Sequence, residues 1–161
     1  MNADQLFVLV GMTNTEAEVI DAIKAIGGSV DALSPKKLKD LTIDFVQFNG
    51  LGVALAFTPK EFYARNYRDP IGAGPYAMSG VFYYPNGTAK VSAYLGGIPF
   101  AGGPVRNREE ALAAFGDPQE TEQEDGDVYW DIRMRDGRQI KVDYNDALAV
   151  KTVLISLPMK A

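Results

Sequence analysis

"DVYWDIRMRDGRQIKVDY", residues 127–144, decides how the rest of the chain is read. Apolar and polar residues alternate on both sides of Asp136-Gly137, the period of a strand whose neighbours point to opposite faces. Aspartate followed by glycine takes the positive φ angles of a tight hairpin turn at little cost. The stretch therefore predicts two antiparallel strands, Asp127 to Arg135 and Arg138 to Tyr144. In the first, Val128, Trp130, Ile132 and Met134 form the predicted buried face, and Tyr129, Asp131, Arg133 and Arg135 the open one. Gln139, Lys141 and Asp143 continue the open face on the second strand. A polar, tyrosine-bearing sheet face that no helix covers is either plainly solvated or a protein-binding surface.

Upstream, Asn107 with Glu110 three residues later predicts the start of a helix, with Leu112 and Phe115 on one side and Gly116 and Pro118 at its end. Downstream, Val150 to Leu157 reads as a third strand. The first half uses similar elements. Asp4 to Val10 predicts a short helix broken by Gly11. Thr15-Glu16-Ala17-Glu18 has the form of a capping box ahead of Val19, Ile23 and Ile26, and Gly27-Gly28 stops that helix. Residues 29–41 read as a polar connector, and 43–48 and 52–57 as strands joined around Asn49-Gly50. After a looser stretch, 58–77, a second hairpin is expected from 78–84 and 88–95 about Pro85-Asn86-Gly87, followed by a glycine-rich bend at 96–104.

"DFVQFNGLGVALAF" (44–57) aligns without a gap to "DIRMRDGRQIKVDY" (131–144), matching Val53, Leu55 and Phe57 to Ile140, Val142 and Tyr144. The expected fold is one α+β domain over residues 1–161, with short helices packed on a mainly antiparallel sheet. Residues 1–95 and 104–161 are candidate halves of a degenerate helix-plus-hairpin duplication.

Composition narrows the chemistry. The chain has no cysteine and no histidine, which removes disulfides, thiolate and histidine-dependent nucleophiles, and nearly every zinc site. A net charge of −5 argues against nucleic acid as a partner, since phosphate binding needs a concentrated basic surface. No apolar run is long enough to span a bilayer, and Asp4 stands where a leader peptide wants basic residues, so a cytoplasmic location is expected. The glycine-rich segment 96–104 lacks the lysine and hydroxyl residue of a phosphate loop. Asp125-Gly-Asp127 with Asp131 lacks the glycine and terminal glutamate spacing of a calcium loop. No catalytic residue, metal or cofactor is therefore expected.

Binding candidates remain. Glu120, Glu122, Glu124, Asp125 and Asp127 form an acidic run with no lysine or arginine before Trp130. Tyr63, Tyr67 and Tyr129 are the tyrosines best placed for contact, a residue type that gives rigid, amphipathic area at interfaces. Asp131 and Arg133 join them on the predicted open face.

"Gly-Ile-Pro-Phe" (97–100), "Asn-Arg-Glu-Glu-Ala-Leu-Ala-Ala-Phe-Gly-Asp-Pro" (107–118), a tryptophan-bearing strand and "Ile-Lys-Val-Asp-Tyr" (140–144) resemble small bacterial immunity proteins that neutralise polymorphic or type VI-delivered toxins. "Phe-Val-Leu-Val-Gly" and "Glu-Val-Ile-Asp-Ala-Ile-Lys-Ala-Ile-Gly" look like their opening helices. The helix–Gly-x-Pro–strands pattern also resembles the repeat of beta-lactamase inhibitory proteins and of outer-membrane assembly lipoproteins, whose lipobox cysteine this chain lacks. The resemblance implies a non-catalytic inhibitor that occludes a basic toxin, with no catalytic residues to carry over. The rival reading is a small enzyme or ligand binder with the aromatic stretch 58–77 as a pocket wall.

Overall fold

The computed structural model describes residues 1–161. The fold is α+β: four α-helices, two short 3-10 helices and seven strands, antiparallel in arrangement. Two compact units share the chain. The first is built from Met1–Phe48, Ala54–Val81 and Ser156–Ala161, and the second from Asn49–Val53 and Phe82–Ile155. No helix is long and apolar enough to cross a membrane.

The first unit opens with a 3-10 helix, Ala3–Leu9, where a helix is expected, burying Leu6 and Leu9. Helix α1, Ala17–Ala25, buries Val19 and Ile23 and stops at Gly27, whose φ is 93°. Its expected capping box does not form. Glu16 rather than Thr15 occupies the cap position, and the Thr15 hydroxyl lies 3.5 Å from that of Thr13. The predicted connector 29–41 contains helix α2, Pro35–Leu41, capped by Ser34, whose hydroxyl accepts from the Lys37 amide at 3.2 Å. Proline suits the first helical position because its missing N–H would have no intrahelical partner there. Strands β1, Asp44–Phe48, and β2, Val53–Pro59, follow. The stretch expected to be loose forms helix α3, Lys60–Asn66, which buries Tyr63, before β3, Tyr76–Tyr83. The strands run in the order β1-β2-β3. Lys160 ties the terminal segment down, donating from its amide to the Asn66 carbonyl at 2.7 Å and from Nζ to that of Ala64 at 2.8 Å.

In the second unit the predicted strand 88–95 is absent. Thr88 bends the chain instead, its hydroxyl accepting from the amides of Lys90 and Val91 at 3.2 and 3.1 Å. The Tyr94 amide then reaches the Tyr84 carbonyl at 2.8 Å. Such local side-chain bonds compete with a strand ladder. Helix α4, Arg108–Phe115, begins as expected, with Asn107 Oδ1 accepting from the Glu110 amide at 2.8 Å. Strands β4, Glu120–Glu124, β5, Asp127–Arg135, β6, Arg138–Tyr144, and β7, Val150–Ser156, complete the unit in the order β7-β6-β5-β4. Ile140, Val142, Val153 and Ile155 are fully buried within it.

Candidate functional site

The acidic run is a strand. Asp125 and Gly126, with φ of 53° and 87°, turn β4 into β5, as Asp136 and Gly137 at 51° and 76° turn β5 into β6. Both pairs have two successive positive φ angles, the requirement of a tight hairpin. The candidate calcium loop is therefore a turn, and no group of three acids converges to hold a metal ion. Strand β4 ends the strand order, so one side of its backbone is open. Glu120, Glu122, Glu124, Asp125 and Asp127 are all exposed, and the ion pairs Arg106–Glu110, Arg108–Asp131 and Arg133–Asp131 involve none of them. Tyr129 is 40% exposed beside them.

The faces of β5 are reversed beyond Val128. Glu122 pairs with Trp130, but the next residue, Gln123, pairs with Val128, so Tyr129 is the extra residue of a bulge. A one-residue bulge shifts the alternation by one and sends each following side chain to the opposite face. Val128 is buried as expected. Trp130, Ile132 and Met134, predicted core, are instead partly exposed, and Asp131 and Arg133, predicted surface contacts, are both 0% exposed.

Helix α4 accounts for those two inward charges. Arg108, in its first turn, donates to the Asp131 carboxylate at 3.3 and 3.4 Å. At the other end Arg133 Nε donates to the Gly116 carbonyl at 2.9 Å, and Arg135 donates to the Phe115 carbonyl. Cations at a helix C-terminus satisfy its free carbonyls and oppose its dipole. The Arg133 guanidinium lies 5.6 Å from the centroid of Phe115, with Nη1 3.7 Å from Asp131. Asp131 also accepts from Tyr144 at 2.7 Å and Thr121 at 2.8 Å. Burial pushes the Asp131 carboxyl up, but the hydrogen bonds from Tyr144, Thr121 and Arg108 outweigh it and hold it below the usual carboxylate range. Burial, reinforced by the bond to Asp131, pushes the Tyr144 phenol above its ordinary value. These groups fasten α4 to the sheet, so Asp131 and Arg133 leave the set of contact residues.

The other tyrosines lie in the first unit. Tyr63 is 0% exposed and so is not a surface contact; Tyr67, partly exposed, stacks on it with ring centroids 4.9 Å apart. A pocket of about 490 Å³ lies along 94–106, lined by Tyr94, Ile98 and Val105 with Arg106, which is itself held by Glu110 at 2.8 Å. No residue of 58–77 lines it, and no carboxylate does.

The outward row on β5 is what alternation alone missed, because a bulge leaves no mark on residue type. The Asp125-Gly126 dipeptide, by contrast, was a visible signal for β4. In fold, the chain is similar to a DUF4309 family protein, YjgB, from Bacillus subtilis subsp. subtilis str. 168, at 10% identity and a TM-score of 0.49, over 96% of this chain and 92% of that one. No protein-family model matches the chain, and no curated protein matches it.

Proposed function

We propose that this protein is a non-catalytic inhibitor of the immunity type, acting in the cytoplasm by covering a basic toxin. The observation that carries the reading is the edge strand β4 with its turn: Glu120, Glu122, Glu124, Asp125 and Asp127 project into solvent with Tyr129 alongside. Unpaired charges of one sign on an exposed edge create a field that speeds encounter with a partner of opposite sign. They also discourage pairing with another copy of the same edge, since like charges placed opposite one another repel.

The direct test is co-expression with the product of the reading frame beside the protein's gene, expected to carry a toxic module: growth should be restored, and continued killing overturns the proposal. With such a partner in hand, changing the five acids to their amides should slow association by about tenfold at low ionic strength. The difference should shrink in high salt, where charges separated by more than the screening length no longer act. Stopped-flow association across a salt series reads both effects, and identical rates at low salt would take β4 out of the mechanism.

A further inference from the structure

The reversal of faces on β5 creates a surface with more chemistry than the acidic edge. In register across three strands stand Glu122 on β4, Trp130 on β5 and Asp143 on β6. Directly opposed residues project from the same face with Cβ atoms about 5 Å apart. An indole is thus flanked on both sides by carboxylates. The next row, Glu120–Ile132–Lys141, adds another acid and one lysine. Asp143 accepts from the Thr152 hydroxyl on the neighbouring strand β7 at 3.4 Å. Helix α4 occupies the opposite side, through Arg108 on Asp131 and Arg133 on Gly116.

The Trp130 ring already carries a cation. Lys141 Nζ lies 5.1 Å from the ring centroid, reached from the diagonal position on β6. The ring face is therefore open to positive charge, and the two carboxylates beside it can accept hydrogen bonds from a group stacked there. A guanidinium suits both features: its plane stacks on an indole and its N–H fork bonds a carboxylate in that same plane.

We propose that the outer face of β4, β5 and β6, centred on Glu122, Trp130 and Asp143, seats an arginine side chain of the basic partner. Lys141 holds that seat in the free protein and is displaced on binding. The seat rests on the inhibitor reading for the partner's charge and adds where the contact forms. Charge complementarity selects the occupant, since Glu120, Glu122 and Asp143 face a single ammonium on this surface, and the exposed Glu124, Asp125 and Asp127 extend the negative field beyond it.

Trp130 is the sole tryptophan, so its emission reports on the seat directly. Titration of the full chain with an octa-arginine peptide at low salt should give a saturable change in that emission, and octa-lysine should bind more weakly. Anisotropy of a labelled octa-arginine should show affinity falling about five- to tenfold in Trp130→Leu, the scale of one cation–π contact. Glu122→Gln and Asp143→Asn should each weaken binding more than Asp146→Asn, an equal charge change at an exposed turn residue. Lys141→Ala should strengthen binding more than Lys151→Ala, which removes the same charge from an exposed site. Urea unfolding of each variant separates a lost contact from a lost fold.

Unchanged affinity in a folded Trp130→Leu variant overturns the seat. So do equal effects within either charge-matched pair, or no binding of octa-arginine by the parent protein. The two proposals fail separately: loss of the seat leaves toxin rescue by co-expression intact, and a working seat without rescue removes the inhibitor reading alone.

Discussion

Replacing Asp131 by asparagine is expected to destabilise the protein by about 3–5 kcal/mol, the usual cost of removing one partner of a buried ion pair. Asparagine keeps the size but not both acceptors: Tyr144 donates to Oδ2 and Thr121 to Oδ1, and an amide has a single acceptor oxygen. The loss therefore combines the charge with one hydrogen bond. Arg133 is 0% exposed and neither of its terminal nitrogens has a hydrogen-bond partner; beyond the Gly116 carbonyl on Nε and the Phe115 ring, the Asp131 carboxylate is the one full charge that balances it. Without the carboxylate, a guanidinium stays buried beside an amide. Against a total stability of about 5–15 kcal/mol for a domain, that is a large fraction. Urea unfolding at pH 7 measures it.

The pH dependence gives an independent check. Asp131 has its folded pKa below the value of about 3.9 for an unfolded chain. The stability it contributes is therefore fully present above about pH 4 and is lost as pH falls through the folded value. The gap between the parent and Asp131→Asn should accordingly be constant near neutrality and narrow in acid. A gap that stays constant down to about pH 2 would show that shape rather than charge is responsible.

Gly52→Ala is expected to cost roughly 2–4 kcal/mol, combining left-handed backbone strain with overpacking. Gly52 has φ of 81°, and a Cβ there would lie 2.4 Å from the Ser92 carbonyl oxygen and 2.6 Å from the Tyr94 amide nitrogen. Both are backbone atoms of a segment pinned to its neighbours: the Ser92 amide donates to Asn49 at 2.7 Å and that of Tyr94 to Tyr84 at 2.8 Å. They cannot rotate away as a side chain would. Gly50→Ala is the matched control, because a Cβ at Gly50 meets nothing within 4 Å and its φ is not positive. Thermal melts should separate the two variants by several degrees or more, with Gly50→Ala near the parent. Equal melting temperatures would mean that the 88–94 segment yields readily.

Those two glycines also show how far the sequence could be read. Asn49-Gly50 is the familiar hairpin dipeptide, and a turn does form there, but the left-handed residue is Gly52, chosen by the chain that passes against it. The Asp136-Gly137 turn needs only its own two residues, and both its position and the strand limits on either side follow from local pattern. The same holds for the Asn107 cap. Helix α2 was legible in Ser34-Pro35, a cap followed by a first-position proline. Strand β4 was marked only by the Asp125-Gly126 turn that follows it: an exposed edge carrying Glu120, Glu122 and Glu124 has no apolar alternation to announce a strand. The face of Trp130 was not legible, because one unpaired residue on the neighbouring ladder decides it. The acidic half of the candidate site thus came from composition, and its aromatic half from the structure.

The bulge at Tyr129 has an evolutionary consequence. Val128 and Asp131 both point inward with two residues between them, one more than regular alternation uses, so the hairpin holds a spare position. Losing it would leave every inward neighbour where it is, whereas a one-residue deletion inside β6 would invert Ile140 against Val142 and Tyr144. Length variation among descendants of this gene should therefore collect at 129 and be purged from the strand beside it.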